Sequence, residues 1–229
     1  MMKYIFGISL MVLMSYTSGI AQQKESRSLD RFNELRVNDG IEVQLMKSTE
    51  HKIEIETSGV SPDKVITDLA GGRLRIKMRT GIYPGVNVIC KVYYTHLDEI
   101  QANTNSYVFS DEVITGERIS LKASTAGSLN LELEMDRAIV ELSAGGNAEL
   151  RGKLREIFAT ANAASTLSGF ELSCDEAELR AGGGSRIELF VNQSIIGRAS
   201  TASKIYFKGD PEKTRFDATL GGIVTKAYY

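Results

Sequence analysis

The chain has 229 residues, of which 42% are hydrophobic and 24% charged. That balance excludes a disordered polymer, and the length is enough to hold a core without metal or disulfides. The net charge of −2 lacks the basic footprint of a nucleic-acid-binding protein, so nucleic acid is not expected as a partner.

Lys3 precedes an apolar run from Tyr4 to Tyr16, and Gly19-Ile20-Ala21 offers small residues at the minus-three and minus-one positions. This pattern predicts a secretory signal peptide, residues 1–21, cleaved after Ala21; the alternative is an uncleaved anchor. The run is short for a bilayer span, and no later stretch approaches that length, so no membrane span is expected after cleavage. Residues 22–229 then read as a single domain.

Residues 29–97 alternate apolar and polar positions. Leu35 and Val37 lead into Ile41, Val43 and Leu45, then Ile53 and Ile55, Leu74 and Ile76, and Val88, Cys90 and Val92. Period two predicts strands, and Asp39-Gly40 and Gly71-Gly72 predict hairpin turns between them. Pro62 and Pro84 fall in connections, where they cost no ladder bonds. The expectation is an antiparallel or mixed β block that covers the first turn of the C-terminal repeat region.

Residues 98–229 repeat. Seven copies align at 102–108, 123–129, 144–150, 161–167, 181–187, 199–205 and 218–224, opened by Ala102, Ala123, Ala144, Ala161, Ala181, Ala199 and Ala218. Six residues on stand Val108, Leu129, Leu150, Leu167, Ile187, Ile205 and Val224, and between them always a small residue: Ser106, Gly127, Ala148, Ser165, Ser185, Ser203 or Gly222. A variable period near twenty excludes the longer helical repeats. The columns predict an all-β fold, a parallel β-solenoid (β-helix) of about seven turns of ~20 residues. Small residues would stack at sharp corners and aliphatic residues would stack in the core. An antiparallel sandwich is the alternative, though it gives no reason for matching columns.

Phe32, Gly40-Ile41-Glu42-Val43, Gly72-Arg73-Leu74-Arg75-Ile76, His96-Leu97-Asp98-Glu99-Ile100 and repeats such as Leu142-Ser-Ala-Gly-Gly-Asn-Ala148 resemble the putative auto-transporter adhesin, head GIN domain family over nearly the whole mature chain. The resemblance implies an exported, chiefly bacterial β-solenoid with an adhesin-like role. It carries no site residues.

Chemistry is sparse in the sequence. Outward acids three residues before each repeat Ala never fall on adjacent turns, and Glu132, Glu134 and Asp136 alternate with Leu131, Leu133 and Met135 as a half-exposed strand would. Gly182-Gly183-Gly184-Ser185 lacks the Lys of a phosphate loop and sits in the corner column. His51 and His96 stand without neighbours at metal-ligand spacing and read as surface residues. No catalytic residue, cofactor or metal is therefore expected. Cys90 and Cys174 read as small buried hydrophobes rather than a disulfide. Tyr107, Phe109 and Tyr206 are the candidate ligand-facing aromatics, with ordinary packing as the alternative.

The function these features suggest is an exported, non-enzymatic, adhesin-like protein of the periplasm or cell surface, presenting a regular face to a glycan or protein partner. The rivals are a polysaccharide-active lyase or hydrolase on the same scaffold and a purely structural envelope protein. After Val224 no polar cap is found, so Tyr228 and Tyr229 would fold over the open end, or two chains would meet there. Lys226 on the last strand favours a monomer over the dimer.

Overall fold

The computed structural model describes residues 22–228. The expected signal peptide and its cleavage position lie outside the described residues. Seventeen strands run in chain order: β1 Gln23–Ser28, β2 Glu34–Val37, β3 Glu42–Lys47, β4 Lys52–Ser58, β5 Val65–Ala70, β6 Arg73–Met78, β7 Asn87–Tyr94, β8 Glu99–Asn103, β9 Tyr107–Phe109, β10 Ile114–Ser124, β11 Ser128–Ser143, β12 Asn147–Ala161, β13 Thr166–Ala181, β14 Arg186–Ala199, β15 Lys204–Lys208, β16 Lys213–Ala218 and β17 Ile223–Lys226.

Strands β10 to β14 are long because each one bends. Pairing lapses for one residue at Glu117, Asp136, Arg155 and Asp175, where the strand turns from one face of the coil to the other. Every turn thus contributes one segment to each of two faces, and neighbouring turns pair in parallel from β8 to β17. Side chains alternate inward and outward along these segments, as in the buried-intermediate alternation of β13. The inward rows merge into one core.

The repeat register differs from the sequence alignment at one copy. Ala123 pairs with Leu142, and Leu142 with Ala161, so Leu142 and not Ala144 belongs to the alanine column. Likewise Leu129 pairs with Ala148 and Ala148 with Leu167, which makes Ala148 the aliphatic-column member and puts buried Leu150 two residues further along, beside Leu131. Ala144 is exposed in the corner, and Gly146 takes the small buried position.

The corners are more uniform than the sequence suggested. Each has two consecutive left-handed residues: Asp39-Gly40, Thr104-Asn105, Thr125-Ala126, Ala144-Gly145, Ala163-Ala164, Gly183-Gly184, Thr201-Ala202 and Leu220-Gly221. Most are not glycine, although a left-handed L-residue costs roughly 1–2 kcal/mol. What holds them is a ladder running from corner to corner. The second left-handed N–H of one corner donates to the first left-handed carbonyl of the next: Gly40 to Thr104 (2.8 Å), Asn105 to Thr125 (3.0 Å), Ala126 to Ala144 (3.1 Å), Gly145 to Ala163 (2.9 Å), Ala164 to Gly183 (2.9 Å), Gly184 to Thr201 (2.9 Å) and Ala202 to Leu220 (3.1 Å). After the first corner, which Ile41 follows, the residue behind each corner pair is small for a steric reason. A Cβ on Gly127 or Gly146 would lie 2.1 Å from the carbonyl oxygen of Ala102 or Ala123. Where serine stands instead, the hydroxyls of Ser106, Ser165 and Ser203 donate back into the corner, as from Ser165 to Asn162 O (2.6 Å), while Ser185 Oγ accepts from the Ser165 N–H.

The N-terminal block is mixed, and it carries the solenoid one turn further than expected. Asp39-Gly40 does not close a hairpin. It is the first corner of the column, and the strands it joins sit on opposite faces: β2 pairs in parallel with β6 and β8, and β3 with β7 and β9. Gly71-Gly72 does join an antiparallel pair, β5 and β6. Antiparallel β4 and β1 complete the other face. Arg27 on β1 then ties this end shut, donating to Val65 O (2.7 Å), Thr67 Oγ1 (3.0 Å) and Pro62 O (3.0 Å) across the core.

Cys90 and Cys174 are both buried and free, and the Cys174 thiol donates to Phe190 O (3.3 Å). Burial pushes both thiols up to about 12. Neither should react with an alkylating reagent in the native protein at neutral pH, and both should react in denaturant; native labelling of either would contradict the burial.

The corner ladder predicts opposite signs for one substitution. Ala164→Gly, at a left-handed corner, should stabilise by up to about 1 kcal/mol by releasing backbone strain. Ala159→Gly, buried inside β12, should destabilise by about 1 kcal/mol. Thermal melts of the two variants check this, and shifts of equal sign would contradict it.

Candidate binding face

Parallel, in-register stacking turns each outward position into a row running along the solenoid. On the face that contains β9 and β15, one row reads Tyr107, Ser128, Asn147, Thr166, Arg186 and Lys204. The adjacent row reads Phe109, Asn130, Glu149, Ser168, Glu188 and Tyr206. Phe109 and Tyr206 therefore share a row, five strand steps apart, on the order of 24 Å.

At one end the rings of Tyr107 and Phe109 stack, with centroids 5.3 Å apart and planes within 15°. Such an offset pair presents a rigid apolar platform at low entropic cost. At the other end the Arg186 guanidinium lies 4.4 Å from the Tyr206 ring centroid, a cation–π contact that also holds Arg186 near Glu188. Between these ends Tyr107, Ser128, Asn130, Asn147, Glu149, Thr166 and Ser168 line a shallow depression. Arg151 donates to Asn130 Oδ1 (2.9 Å), which fixes one amide in place. The hydroxyls of Ser128, Thr166 and Ser168 are left to face solvent or a ligand. The three sequence-predicted aromatics thus belong to one face, and Arg186 joins them through a register that composition cannot reveal.

The acidic clusters resolve differently. Asp136 accepts two hydrogen bonds from Arg155 (2.6 and 3.1 Å), while Glu132 and Glu134 lie beside Arg151 and Lys153 in the next turn. The hydrogen bonds from Arg155 hold the Asp136 carboxyl below the usual carboxylate range. Two pairs of stacked acids escaped the sequence reading: Glu156 and Glu176 are register partners, with Arg137 and Arg155 on Glu156, and so are Glu34 and Glu99, bridged by Arg73, with Lys122 binding Glu99 (2.9 Å). Seeing them needed the register of β12 on β13 and the placement of β2 beside β8. Basic partners accompany these acids, which is the arrangement of structural ion pairs.

The two histidines differ: His96 keeps the expected surface place, its side chain 45% exposed, whereas His51 is drawn inward. His96 Nε2 lies 2.9 Å from Asp98 Oδ1, at the bend edge beside Glu117, Arg118, Asp136 and Arg137. A hydrogen bond from Asn33, joined by one from His96, keeps the Asp98 carboxyl low. His51 is half-buried edge-on to Phe32, with Nε2 3.1 Å from Thr95 Oγ1; burial and Arg31 lower its pKa. Among the described residues no group of three or more His, Cys, Asp or Glu is placed to hold a metal ion. Gly183-Gly184 is a solenoid corner. No helix among the described residues is long and apolar enough to cross a membrane.

Solved structures share this architecture. A crystal structure named as a putative adhesin from Bacteroides fragilis superposes with a TM-score of 0.82 at 13% identity, over 91% of this chain and 98% of that one. Structures named as putative adhesins from Parabacteroides distasonis (TM-score 0.75, 17% identity, 90% of this chain and 97% of that one) and Parabacteroides merdae (0.73, 15%, 90% and 96%) are also similar. At these identities the likeness speaks for the fold. None of the curated proteins matches the chain in sequence. Residues 31–211, which contain seven of the eight corners and both aromatic ends of the face, match the family described as putative auto-transporter adhesin, head GIN domain, and the chain belongs to that family.

Proposed function

We propose that this protein is exported to the periplasm or cell surface and acts there as a non-enzymatic, adhesin-like binding module. Its partner, a glycan or a protein, would lie along the rows between Phe109 and Tyr206. The observation that carries this reading is the alignment of two aromatic ends over one polar row. Aromatic faces take the apolar side of a sugar or a partner's side chain, and the hydroxyls and amides between them supply orientation. The family adds support, since its name and those of the structural relatives point to adhesion.

Three measurements test the proposal together. Mass spectrometry of the exported protein should find Gln22 as the first residue, and a retained Met1 would contradict export by cleavage. Protease shaving of intact cells separates a surface location, in which the protein is lost, from a periplasmic one. On a glycan and protein panel the mature chain should bind without turning over its ligand. Tyr107→Ala and Tyr206→Ala should each weaken that binding by roughly tenfold, in line with loss of an aromatic anchor. Depolymerisation of a uronic-acid polymer would instead establish the enzymatic alternative, and binding unaffected by both variants would move the site off this face.

A further inference from the structure

Among the described residues both ends of the solenoid finish in strands paired on one side only, β1 and β5 at one end, β16 and β17 at the other, but only the first pair is tied together by a side chain. Arg27 on β1 links that strand to β5 and to Pro62 O. At the other end β16 pairs only with β14 and β17 only with β15, so both present an open edge. Every residue of β16 is exposed, Phe216 by 42%, and Leu220 and Ile223 stand 81% and 45% exposed beside it. Tyr228 is 82% exposed and does not fold over this end. An edge of this kind is a template for another strand.

We propose that the edge of β16 and β17 is an interface for a second copy of this chain, paired about a two-fold axis centred on Phe216. Three features of β16 fit its own antiparallel copy. The Thr219 N–H donates to Ala199 O on β14, so the alternate residues Thr214, Phe216 and Ala218 aim their backbone N–H and C=O groups at the open edge. Centring on Phe216 makes these three residues the hydrogen-bonding positions of the new pair. The same register lays Phe216 against Phe216 of the second copy. In the column, Phe216 pairs with Gly197 and lies 5.4 Å from the Phe207 ring, so the two rings would close the bare ends of both cores.

The third feature is charge. Arg215 and Asp217 point outward from β16, and among the described residues neither has an ion-pair partner. In the centred register Arg215 faces Asp217 of the second copy, and Asp217 faces its Arg215. One two-fold axis thus makes two equivalent ion pairs, as an isologous interface requires. The corner Thr219–Gly222 sets β17 opposite β16, so the same axis centres β17 on Thr225. There the residues whose backbone points to the edge, Val224 and Lys226, again face each other. Asp210 already holds the Lys226 ammonium, which removes the lone charge expected to block pairing.

The consequence bears on the proposed binding role but does not depend on it. An axis passing through both faces joins each face to its own copy. The Phe109–Tyr206 rows of two molecules would then lie on one side of the dimer, and a multivalent ligand could engage both.

Sedimentation velocity of the mature chain across a concentration series tests this directly, with a dimer expected. Arg215→Asp sets two pairs of acids against each other, and Asp217→Arg two pairs of arginines. Each should weaken self-association on the order of tenfold or more. Mixing the two single variants should restore a dimer, because their charges then complement one another, and so should the double variant within one chain. Circular dichroism of each variant confirms an unchanged fold, as expected for exposed positions. A wild-type chain that stays monomeric at every concentration overturns the proposal, and so does a dimer that both single variants leave intact. Glycan or protein binding is measured separately, so its absence leaves this result standing.

Discussion

Everything in this molecule depends on the hydrogen-bond ladder that joins one left-handed corner to the next. A coil with turns of about twenty residues must reverse direction within a few residues at each edge. Here it does so through two consecutive left-handed residues, which isolated chains disfavour when those residues are Ala or Thr. Stacking gives each corner between the first and the last a partner above and below, so the unusual backbone satisfies its own polar groups. The strain is local and the compensation is shared. That makes neighbouring turns cooperative and fixes their register, because a slip of one residue would break the ladder and turn the inward rows outward.

Fixed register in turn writes the surface. With every outward position repeated along the solenoid, like charges would stack unless the sequence alternated them. In part it does: Arg137 with Glu156, Arg155 with Asp136, Arg198 with Glu178 and Lys122 between Glu99 and Glu141 all join adjacent turns, while like charges do stack at Glu34 on Glu99, Arg180 on Arg198 and Arg186 on Lys204. Such exposed ion pairs add little stability each. Their value lies in making a flat face whose chemistry is set row by row, and on one face the rows run from the Tyr107 and Phe109 platform to Tyr206. This is how a fold without a deep cleft can still present an extended recognition surface.

Much of the fold was legible because the solenoid repeats its demands. Small residues behind the corners and aliphatic residues two positions beyond recur in the seven repeat copies, so the columns appear in the sequence itself. The register of the third copy did not, because Leu142-Ser-Ala-Gly-Gly-Asn-Ala148-Glu-Leu150 satisfies the column pattern in two frames; only the corner geometry chooses between them. The first corner hid for a related reason. Asp39-Gly40 carries the local chemistry of a hairpin, and what makes it a corner is its bond to Thr104, a partner far away in sequence. The candidate face was legible only as three separate aromatics. Their alignment, the Arg186 contact and the Glu34–Glu99 pair are products of register, and side-chain identity does not encode register until the turns are stacked.

Amide hydrogen exchange at the corners is the most direct test. The N–H groups of Ala126, Ala164 and Ala202 lie in exposed turns, where loop amides ordinarily exchange fast, yet each donates to the next corner. Protection at these three amides should be comparable to that of buried strand amides such as Leu121 and Leu179, while the exposed loop around Ile82 exchanges quickly. Corner amides that exchange as fast as Ile82 would contradict the ladder as the element that holds the solenoid together.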